Sequence, residues 1–399
     1  MLKLRGLYYI THIDNLPSIL RNGIFCHRRI EEEKIKFTPI YNEEIVSNRK
    51  EKKVEGEHNL WDFVNLYFQP RNAMLYRVVR FFSEVNLEDL LILGLKSDLL
   101  NRKDIFVTTG NAASRETKFL RATEAQKYLK TIREKTDKEW WTSEDGSKRE
   151  IMAECLVPDK VDADNISEIY VSNDNTRNKV KEICNEIYNK SISVIPEPEL
   201  FFLPSREIFL TNTLSLIEGD MFFSKMQTLT ISVNTVGVMG KGLASRAKYQ
   251  FPDVYVKYQD LCKSKTLKMG KPYLYKREGS LDFVLADEAE KLTNLNSKTW
   301  FLLFPTKTHW RNMADLNGIK EGLKWLVDQY RNEGIESLAI PALGCGLGWL
   351  PWGSVGPVIC TYLNQLEIPV NLYLPIEKKI PDEQLKPNFL LKKEGSSLD

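Results

Sequence analysis

The sequence predicts two domains of different fold class: an α+β domain, then an α/β domain in which helices cover both faces of a mixed sheet. Its 399 residues exceed the roughly 100–200 that one domain usually holds. Near the middle, Pro196, Pro198 and Pro204 interrupt helix and central strand alike. After that break, Val- and Ile-rich segments alternate with amphipathic helices. We therefore expect domains at 1–190 and 207–378, a linker at 191–206 and a C-terminal tail at 379–399.

The composition is that of a globular protein in water. Hydrophobic residues make up 42% of the chain and charged residues 28%, and no run of about 18 apolar residues could cross a bilayer. The N-terminus begins with cations, but His12, Asp14 and Pro17 interrupt it before an apolar signal segment can form. We expect a cytoplasmic protein without membrane contact.

The cysteines do not form a metal-binding pattern. Six are scattered along the chain without a C-x-x-C pair, and only four histidines accompany them. A zinc site needs clustered ligands, so we expect free thiols in a reducing compartment and no metal.

The net charge of +2 does not indicate a nucleic-acid partner by itself. A local series of cations ends at Trp140 and Trp141. It is either a solvated helix face or a track for a single strand, with phosphate contacts and base stacking. The series comprises Lys118, Arg121, Lys127, Lys130, Arg133, Lys135 and Lys138.

In the first domain, short strands alternate with helices and long polar loops. We expect a strand at 7–10, a helix at 15–21 that ends at Asn22 and Gly23, and strands at 105–109 and 151–157, the last stopped by Pro158. This order favours α+β.

Glu154 is the candidate catalytic residue of this domain. In a strand over 151–157, Met152, Glu154 and Leu156 share one face, and a glutamate among apolar neighbours is costly unless it has a function. The alternative is a glutamate on the exposed face of an edge strand.

In the second domain, three predicted strands are followed by polar or glycine-rich loops at 237–242, 306–311 and 344–348. Glycines between a strand and a helix let backbone N–H groups approach a phosphate. Two such loops indicate a diphosphate between them, although each could be a simple tight turn. Neither is a Walker loop, because Gly242 follows Lys241, and the spacing does not fit a dinucleotide fold.

These segments resemble a macrodomain over about 207–376, and in particular the DarG antitoxin type. The matching motifs are 218–220, 234–242, 304–311 and 341–348. The resemblance implies that Asp220 accepts from the adenine amino group, that Asn234 holds the distal ribose and that Lys307 is the catalytic group. The ADP-ribose site would comprise Asp220, Met221, Asn234, Gly240, Lys241, Gly242, Thr306, Gly344, Cys345, Gly346 and Leu347. Gly348 departs from related hydrolases, which often have aspartate there.

The first domain resembles DarT, a toxin that ADP-ribosylates single-stranded DNA with NAD. The matching segments are 8–16, 67–75, 108–113 and 153–158. The resemblance implies that Glu154 and Arg49 are catalytic, that the loop before Glu154 holds DNA, and that the NAD pocket comprises Tyr9, Thr11, His12 and Asn15. Tyr9 is a departure, because histidine is common at that position.

We therefore interpret the chain as a DarT–DarG toxin–antitoxin fusion with two enzymes. The first domain would be a DNA ADP-ribosyltransferase that modifies a base, thymine, in single-stranded DNA. The second would be a DNA ADP-ribosyl glycohydrolase that removes ADP-ribose and neutralises the toxin, aided by contact between the domains, because tethering raises their local concentration to about millimolar. One alternative is an ADP-ribose reader with an inactive transferase-like domain. Another is a hydrolase of small nucleotides.

Overall fold

The computed structural model describes residues 5–41, 49–56, 58–82, 84–187, 191–292, 298–375 and 379–391. The chain divides into two compact units. The first consists of Met1–Leu203 together with Asp282–Asn294, and the second of Pro204–Leu281 and Leu295–Asp399.

The first unit is built on an eight-stranded sheet of order β12-β11-β6-β1-β5-β9-β7-β8. Neighbouring strands are antiparallel except β11 and β12, which are parallel. The strands of this unit are β1 Leu7–His12, β2 Ile24–Phe25, β3 Lys53–Glu55, β4 His58–Asn59, β5 Phe63–Tyr67, β6 Leu90–Leu95, β7 Phe106–Thr108, β8 Phe119–Arg121, β9 Glu154–Pro158, β10 Lys160–Val161, β11 Ile166–Val171 and β12 Ser193–Pro196. The helices of its N-terminal portion are α1 Leu16–Asn22, α2 His27–Glu32, α3 Ala73–Phe81, α4 Ala122–Thr136, α5 Ser147–Glu150 and α6 Asp174–Ile187.

The predicted elements of the first unit are present, with one shift that matters. Gly23 caps α1 with a φ of 89°, a left-handed value that suits glycine. The strand predicted at 151–157 begins only at Glu154, and Pro158 is its last residue. Met152 therefore lies before the strand, and its proposed shared face with Glu154 is wrong.

The second unit contains a seven-stranded mixed sheet of order β13-β14-β19-β18-β15-β17-β16. The five central strands are parallel and the two edge strands are antiparallel. These strands are β13 Arg206–Phe209, β14 Leu214–Glu218, β15 Thr228–Asn234, β16 Tyr273–Tyr275, β17 Trp300–Lys307, β18 Leu338–Pro341 and β19 Val370–Tyr373. From residue 204 onward, the described residues form the helices α7 Gly242–Gln250, α8 Pro252–Lys263, α9 Leu281–Leu285, α10 Leu316–Glu333, α11 Trp352–Leu363 and α12 Pro387–Leu390.

Helices cover both faces of this second sheet, which confirms the predicted fold class. Alternate residues of β17 point to opposite faces. Phe304 packs closely against α10, where a Cβ on Gly322 would meet its ring. Phe301 packs instead against Phe251, which lies between α7 and α8, with the two rings tilted by 47°.

The domain boundaries differ from the expected ones. Most of the expected linker belongs to the first unit, because β12 pairs in parallel with β11 and adds an edge strand. Prolines are tolerated at a sheet edge. Within the expected tail at 379–399, the side chains of Ile380, Leu385 and Leu390 are buried in the hydrophobic core of the second unit. Residues 392–399 lie outside the described residues.

Within the described part of the chain, none of the helices has the length and apolar character needed to cross a membrane.

Candidate active sites

Glu154 opens β9, and its side chain is completely buried. Its Oε2 accepts hydrogen bonds from Nη2 of Arg49 at 2.6 Å and from Nδ2 of Asn65 at 2.7 Å. Its Oε1 accepts from the backbone N–H of Ala112 at 2.9 Å, and its own N–H donates to Oγ1 of Thr108 at 2.8 Å. A carboxylate can stay in the interior when a charged partner and further donors satisfy it.

Three adjacent strands bring these groups together. β5 pairs with β9 so that Tyr67 lies opposite Glu154 and Asn65 opposite Leu156. Because side chains alternate along a strand, Asn65 and Tyr67 share the Glu154 face, whereas Val64 and Leu66 enter the hydrophobic core. β7 flanks β9 on its other side and leads into the loop of Ala112.

The Glu154 carboxylate raises the pKa values of two neighbouring side chains, Arg49 and Tyr67. Burial by itself would lower the pKa of the Arg49 guanidinium, but the Glu154 carboxylate and its neighbours Tyr67 and Asp287 raise it. Burial, together with the Glu154 charge, also raises the pKa of the Tyr67 hydroxyl. The face therefore presents a carboxylate held by a permanently charged arginine beside a protonated phenol.

The residues expected to bind NAD lie along and beyond β1. β1 is paired with β5 at Tyr8 and Tyr67, the position level with Glu154. Further along, Nδ1 of His12 accepts from the Asp14 N–H and caps a short turn. Asn15 donates to Oγ1 of Thr11 at 3.1 Å.

The second unit gathers the other predicted residues at one sheet edge. β15, β17 and β18 are parallel, so their carboxyl ends meet there, and Asn234 is paired with Lys307. Ligands of parallel sheets bind at such edges. Oδ1 of Asn234 accepts from the Val236 N–H and from the Tyr258 hydroxyl, and its Nδ2 donates to the Val238 carbonyl at 2.6 Å. Asn234 thereby shapes the first glycine loop.

The two glycine loops face each other. A Cβ on Gly242 would lie 3.4 Å from Cδ1 of Leu347, in the second loop. Gly242, with a φ of 58°, is the first residue of α7, and Gly344 has a φ of 77°. Backbone N–H groups at a helix start favour a phosphate.

Lys307 ends β17 beside the second loop. Its Nζ donates to the Leu347 carbonyl at 3.0 Å. Partial burial lowers the pKa of its ammonium, so a neutral amine is more accessible here than on an exposed lysine. A neutral amine can attack an electrophilic carbon.

Comparison with known proteins gives the family. The family model "ssDNA thymidine ADP-ribosyltransferase, DarT" matches residues 8–202. A relative from Thermosipho africanus, a DNA ADP-ribosyl transferase–DNA ADP-ribosyl glycohydrolase fusion protein, is 58% identical over 98% of this chain and 99% of its own length. The chain belongs to this fusion family.

Further relatives agree with that membership. A solved structure, Thermosipho africanus DarTG in complex with ADP-ribose, is 57% identical with a TM-score of 0.90, covering 97% of this chain and 100% of that one. A DNA ADP-ribosyl glycohydrolase from Thermus aquaticus is 34% identical over 41% of this chain and 42% of its own length. The first unit is thus the DarT unit, and the second the DarG macrodomain.

In the DarG macrodomain, some predicted contacts are already used by the protein. Oδ2 of Asp220 pairs with Nη1 of Arg246 at 2.6 Å, while Met221 is buried behind it. The Thr306 hydroxyl lies 2.9 Å from that of Ser232 and is buried. Of the predicted set, Gly240, Lys241, Gly242 and Leu347 are exposed, Gly346 is half-buried, and Cys345 is buried, with its thiol pKa raised to about 12.

The close approach of the Gly344 backbone leaves no room for a side chain at Gly348. A Cβ there would lie 2.7 Å from Cα of Gly344 and closer still to its carbonyl oxygen. The Gly348 carbonyl also accepts from the Ala314 N–H at 3.0 Å. No side chain fits without moving the loop, so a lysine–aspartate pair is not built here.

In the DarT unit, two of the residues singled out from the sequence lie in apolar surroundings. Tyr9 lies on the face of β1 opposite Tyr8, where it packs against the hydrophobic core. Burial raises the pKa of its hydroxyl to about 12, and its part in an NAD pocket stays a prediction. Trp141 is fully buried and donates from Nε1 to the Leu285 carbonyl. It therefore cannot stack on a base as it stands.

The cationic series is largely occupied as well. Arg133 donates to the carbonyls of Arg5 and Gly6 and lies over the Phe68 ring. Lys135 pairs with Glu150. These contacts favour the interpretation of the series as a largely solvated helix face with structural contacts.

Sequence reasoning missed Asn65 and the segment 282–288. Asn65 had a signal, a single amide in the apolar segment 63–67. Segment 282–288 is acidic, but the local sequence does not indicate that a segment from the middle of the macrodomain sequence packs in the DarT unit.

Among the described residues, no group of three or more His, Cys, Asp or Glu side chains is placed to hold a metal ion.

Proposed function

We propose that the DarT unit transfers ADP-ribose from NAD to a thymidine base of single-stranded DNA, with Glu154 and Arg49 as catalytic residues. The observation that carries this assignment is the Glu154 carboxylate, buried yet bound by Arg49, Asn65 and the Ala112 N–H. The family description names the same substrate.

The chemistry follows from the carboxylate. The bond from nicotinamide nitrogen to the ribose anomeric carbon breaks with its electron pair on nicotinamide. The Glu154 carboxylate stabilises the resulting oxocarbenium-like carbon. A base nitrogen then bonds to that carbon, and its proton passes to the carboxylate. Arg49 holds the Glu154 carboxylate in position through its hydrogen bond. The NAD pocket would comprise Tyr9, Thr11 and His12 of β1 and Asn15, which follows β1.

We propose further that the DarG macrodomain removes the modification through Lys307. ADP-ribose would lie over the edge formed by Asn234 and the two glycine loops, with its diphosphate against their N–H groups. The neutral Nζ attacks the anomeric carbon, the bond to the base breaks with its electron pair on the base nitrogen, and that nitrogen takes up the proton that the attacking amine loses. Water then releases ADP-ribose from the lysine. The toxin is neutralised in this way within a cytoplasmic protein.

The experiment is to incubate the full chain carrying Lys307→Ala with NAD and thymidine-containing single-stranded oligonucleotides, and to measure their intact mass. We expect one added ADP-ribose per modified base, and its loss when the wild-type chain is added. An unchanged oligonucleotide mass would favour the reader alternative, and NAD consumption without DNA would favour a small-molecule hydrolase.

A further inference from the structure

Trp349 is an exposed aromatic residue in the second glycine loop of the macrodomain. It is 70% exposed, and its backbone has a left-handed φ of 65°. Such a φ is costly for a bulky residue and occurs where the surrounding structure imposes it, often at functional sites. A large apolar ring in water is also unfavourable. Because neither feature stabilises the macrodomain, they indicate a role in binding.

Hydrogen bonds within the loop fix the backbone of Trp349. Its own N–H donates to the Gly346 carbonyl at 3.1 Å, and the N–H of the next residue, Leu350, donates to the Gly344 carbonyl at 3.0 Å. The backbone is therefore held on both sides of the indole. Since Trp349 is 70% exposed, most of the indole surface is open to a ligand. The loop presents this ring to solvent from an ordered turn.

The loop that follows β17 is bonded to the loop of Trp349. The Ala314 N–H donates to the Gly348 carbonyl at 3.0 Å. Lys307 lies at the start of this loop, and its Nζ donates to the Leu347 carbonyl at 3.0 Å. Trp349 is therefore two residues from the carbonyl that contacts the proposed nucleophile.

The loop after β17 adds a second exposed aromatic residue and positive charge. Trp310 is 47% exposed, and its ring stacks with that of His309 at a centroid distance of 5.4 Å. Cζ of Arg311 lies 4.5 Å from the Trp310 ring centroid. The segments 305–314 and 341–353 contain no Asp or Glu. Aromatic rings next to cations are typical of surfaces that bind single-stranded nucleic acid.

The substrate itself brings a nucleic-acid strand to this surface. In ADP-ribosylated DNA, the modified base is bonded to the anomeric carbon that Lys307 attacks in the proposed reaction. With ADP-ribose held by the glycine loops, the strand must leave the site beside Lys307, where the loops of Trp310 and Trp349 lie. A base of that strand can stack on an indole, because every base has an aromatic face.

We propose that Trp349 is a stacking platform for a base of the DNA strand that carries the ADP-ribose, so that the macrodomain binds its substrate through the strand as well as through ADP-ribose. The inference rests on the proposed removal reaction at Lys307. Stacking is the same before and during bond breaking, so Trp349 contributes to KM and not to kcat. It makes a modified oligonucleotide a better substrate than an isolated modified nucleoside.

The test compares Trp349→Ala with Trp349→Phe in the full chain. Every protein also carries Glu154→Gln, so that the DarT unit cannot restore the modification. Both substitutions keep a Cβ, so they leave the cost of the left-handed backbone in place. Phe209→Ala is the matched control, because Phe209 is 71% exposed. It pairs with Ser215 near the start of β14, away from the carboxyl ends of the parallel strands.

Removal of ADP-ribose is measured on two substrates, an oligonucleotide with one ADP-ribosylated thymidine and the ADP-ribosylated nucleoside alone. We expect Trp349→Ala to raise the KM for the oligonucleotide about tenfold, equivalent to roughly 1.4 kcal/mol of lost stacking. Its kcat and its KM for the nucleoside should not change. Trp349→Phe should keep most of the affinity, and Phe209→Ala should match the parent chain. An unchanged KM for the oligonucleotide, or an equal rise for both substrates, overturns the proposal.

A binding measurement separates this proposal from the removal reaction. With Lys307→Ala added to each chain, anisotropy gives the affinity for a fluorescein-labelled ADP-ribosylated oligonucleotide, while excess unmodified oligonucleotide occupies the DNA site of the DarT unit. Trp349→Ala should weaken this binding about tenfold and leave the affinity for free ADP-ribose, measured by calorimetry, unchanged. Undiminished oligonucleotide binding, or an equal loss of ADP-ribose affinity, overturns the proposal. Weaker oligonucleotide binding alone, in a protein whose Lys307 form never removes the modification, would leave it standing and contradict the removal reaction instead.

Discussion

The Glu154 carboxylate receives donors from three separate parts of the DarT unit: the segment of Arg49, strand β5 through Asn65, and the loop of Ala112. Because these donors converge on one oxygen pair, the charge of the carboxylate is fixed in place before substrate binds. Preorganised charge of this kind stabilises a developing cation without rearrangement at the moment of reaction.

Glu154→Gln should therefore abolish transfer while leaving NAD binding nearly intact. The amide keeps the shape but loses the charge opposite the anomeric carbon, and we expect kcat to fall by about 100-fold or more. Glu150→Gln, which removes the partner of Lys135, is the control and should keep its activity. Single-turnover transfer to an oligonucleotide checks both, and an active Glu154→Gln would remove Glu154 from the mechanism.

Lys307 should give the macrodomain reaction a pH dependence. Its lowered pKa means that the neutral amine appears at lower pH than on a lysine with the ordinary value of 10.5. Removal of ADP-ribose should speed up as pH rises and level off below that value. Lys307→Arg, which stays charged, should be inactive throughout. A rate that falls with rising pH would indicate that the ammonium form acts instead.

Gly348→Ala should damage the macrodomain although the change is one methyl group. The new Cβ would meet backbone atoms of Gly344, so the loop must move, and we expect a loss of about 1–3 kcal/mol in unfolding free energy with weaker ADP-ribose binding. Gly353→Ala is the matched control, because its nearest neighbours are the Gln384 side-chain atoms at 3.5 Å and beyond. Chemical denaturation and calorimetry would show the difference; equal stability of the two variants would contradict it.

At the scale of elements, Asn15 fastens the segment around Thr38 to the end of β1. Its Oδ1 accepts from the Thr38 N–H at 2.7 Å and its Nδ2 donates to the Thr38 carbonyl at 2.8 Å. Both bonds join residues 23 apart in sequence, so they hold the segment around Thr38 beside the residues proposed to bind NAD.

Asn15→Ala should accordingly raise the KM for NAD more than it changes kcat, since it loosens the cleft without touching Glu154. The three lost bonds, two to Thr38 and one to Thr11, are worth about 1.5–4.5 kcal/mol together. Asn22→Ala, which loses a long 3.4 Å bond to Ser18 on the surface, should behave like wild type. Steady-state kinetics with varied NAD separates the two, and an unchanged KM would mean that Thr38 is held by other contacts.

Local patterns explain which elements could be predicted. The glycine loops and Lys307 follow strands directly, so their meeting at the parallel edge follows from strand order alone. Glu154 was identifiable as a costly residue in an apolar strand. The face of β1 that carries Tyr9 was not predictable, because the register with β5 and β6 decides it. The burial of Trp141 was not predictable either, because its partner Leu285 is 144 residues away in sequence.

At the scale of the whole chain, the DarT unit is discontinuous. Residues 282–288 cover Tyr76 and Trp141, both fully buried. A fragment that ends at Leu203 lacks residues 282–288 and their contacts with Tyr76 and Trp141. The end of the DarT unit therefore cannot be chosen from sequence position alone.

The fragment 1–203 should be stabilised by a synthetic peptide of residues 281–292, because a ligand that binds only the folded state raises its melting temperature. We expect a shift of at least about 3 °C at saturation, the effect of roughly 1 kcal/mol in a domain of this size. A peptide of scrambled order is the control. Calorimetry that shows no shift, or the same shift with the scrambled peptide, would mean that the segment is dispensable for this unit.

Because the DarT unit is discontinuous in sequence, the ribosome synthesises its two parts at different times. After Leu203 the ribosome must add residues 204–281 before it reaches Asp282, which at about 5–20 residues per second takes roughly 4–16 seconds. During that interval the nascent chain carries Arg49, Asn65 and Glu154 but not residues 282–288, which complete the DarT unit. A messenger RNA that is truncated within this stretch would yield a DarT unit without residues 282–288 and without the complete macrodomain. The speed of translation therefore sets how long the DarT unit exists without its last segment.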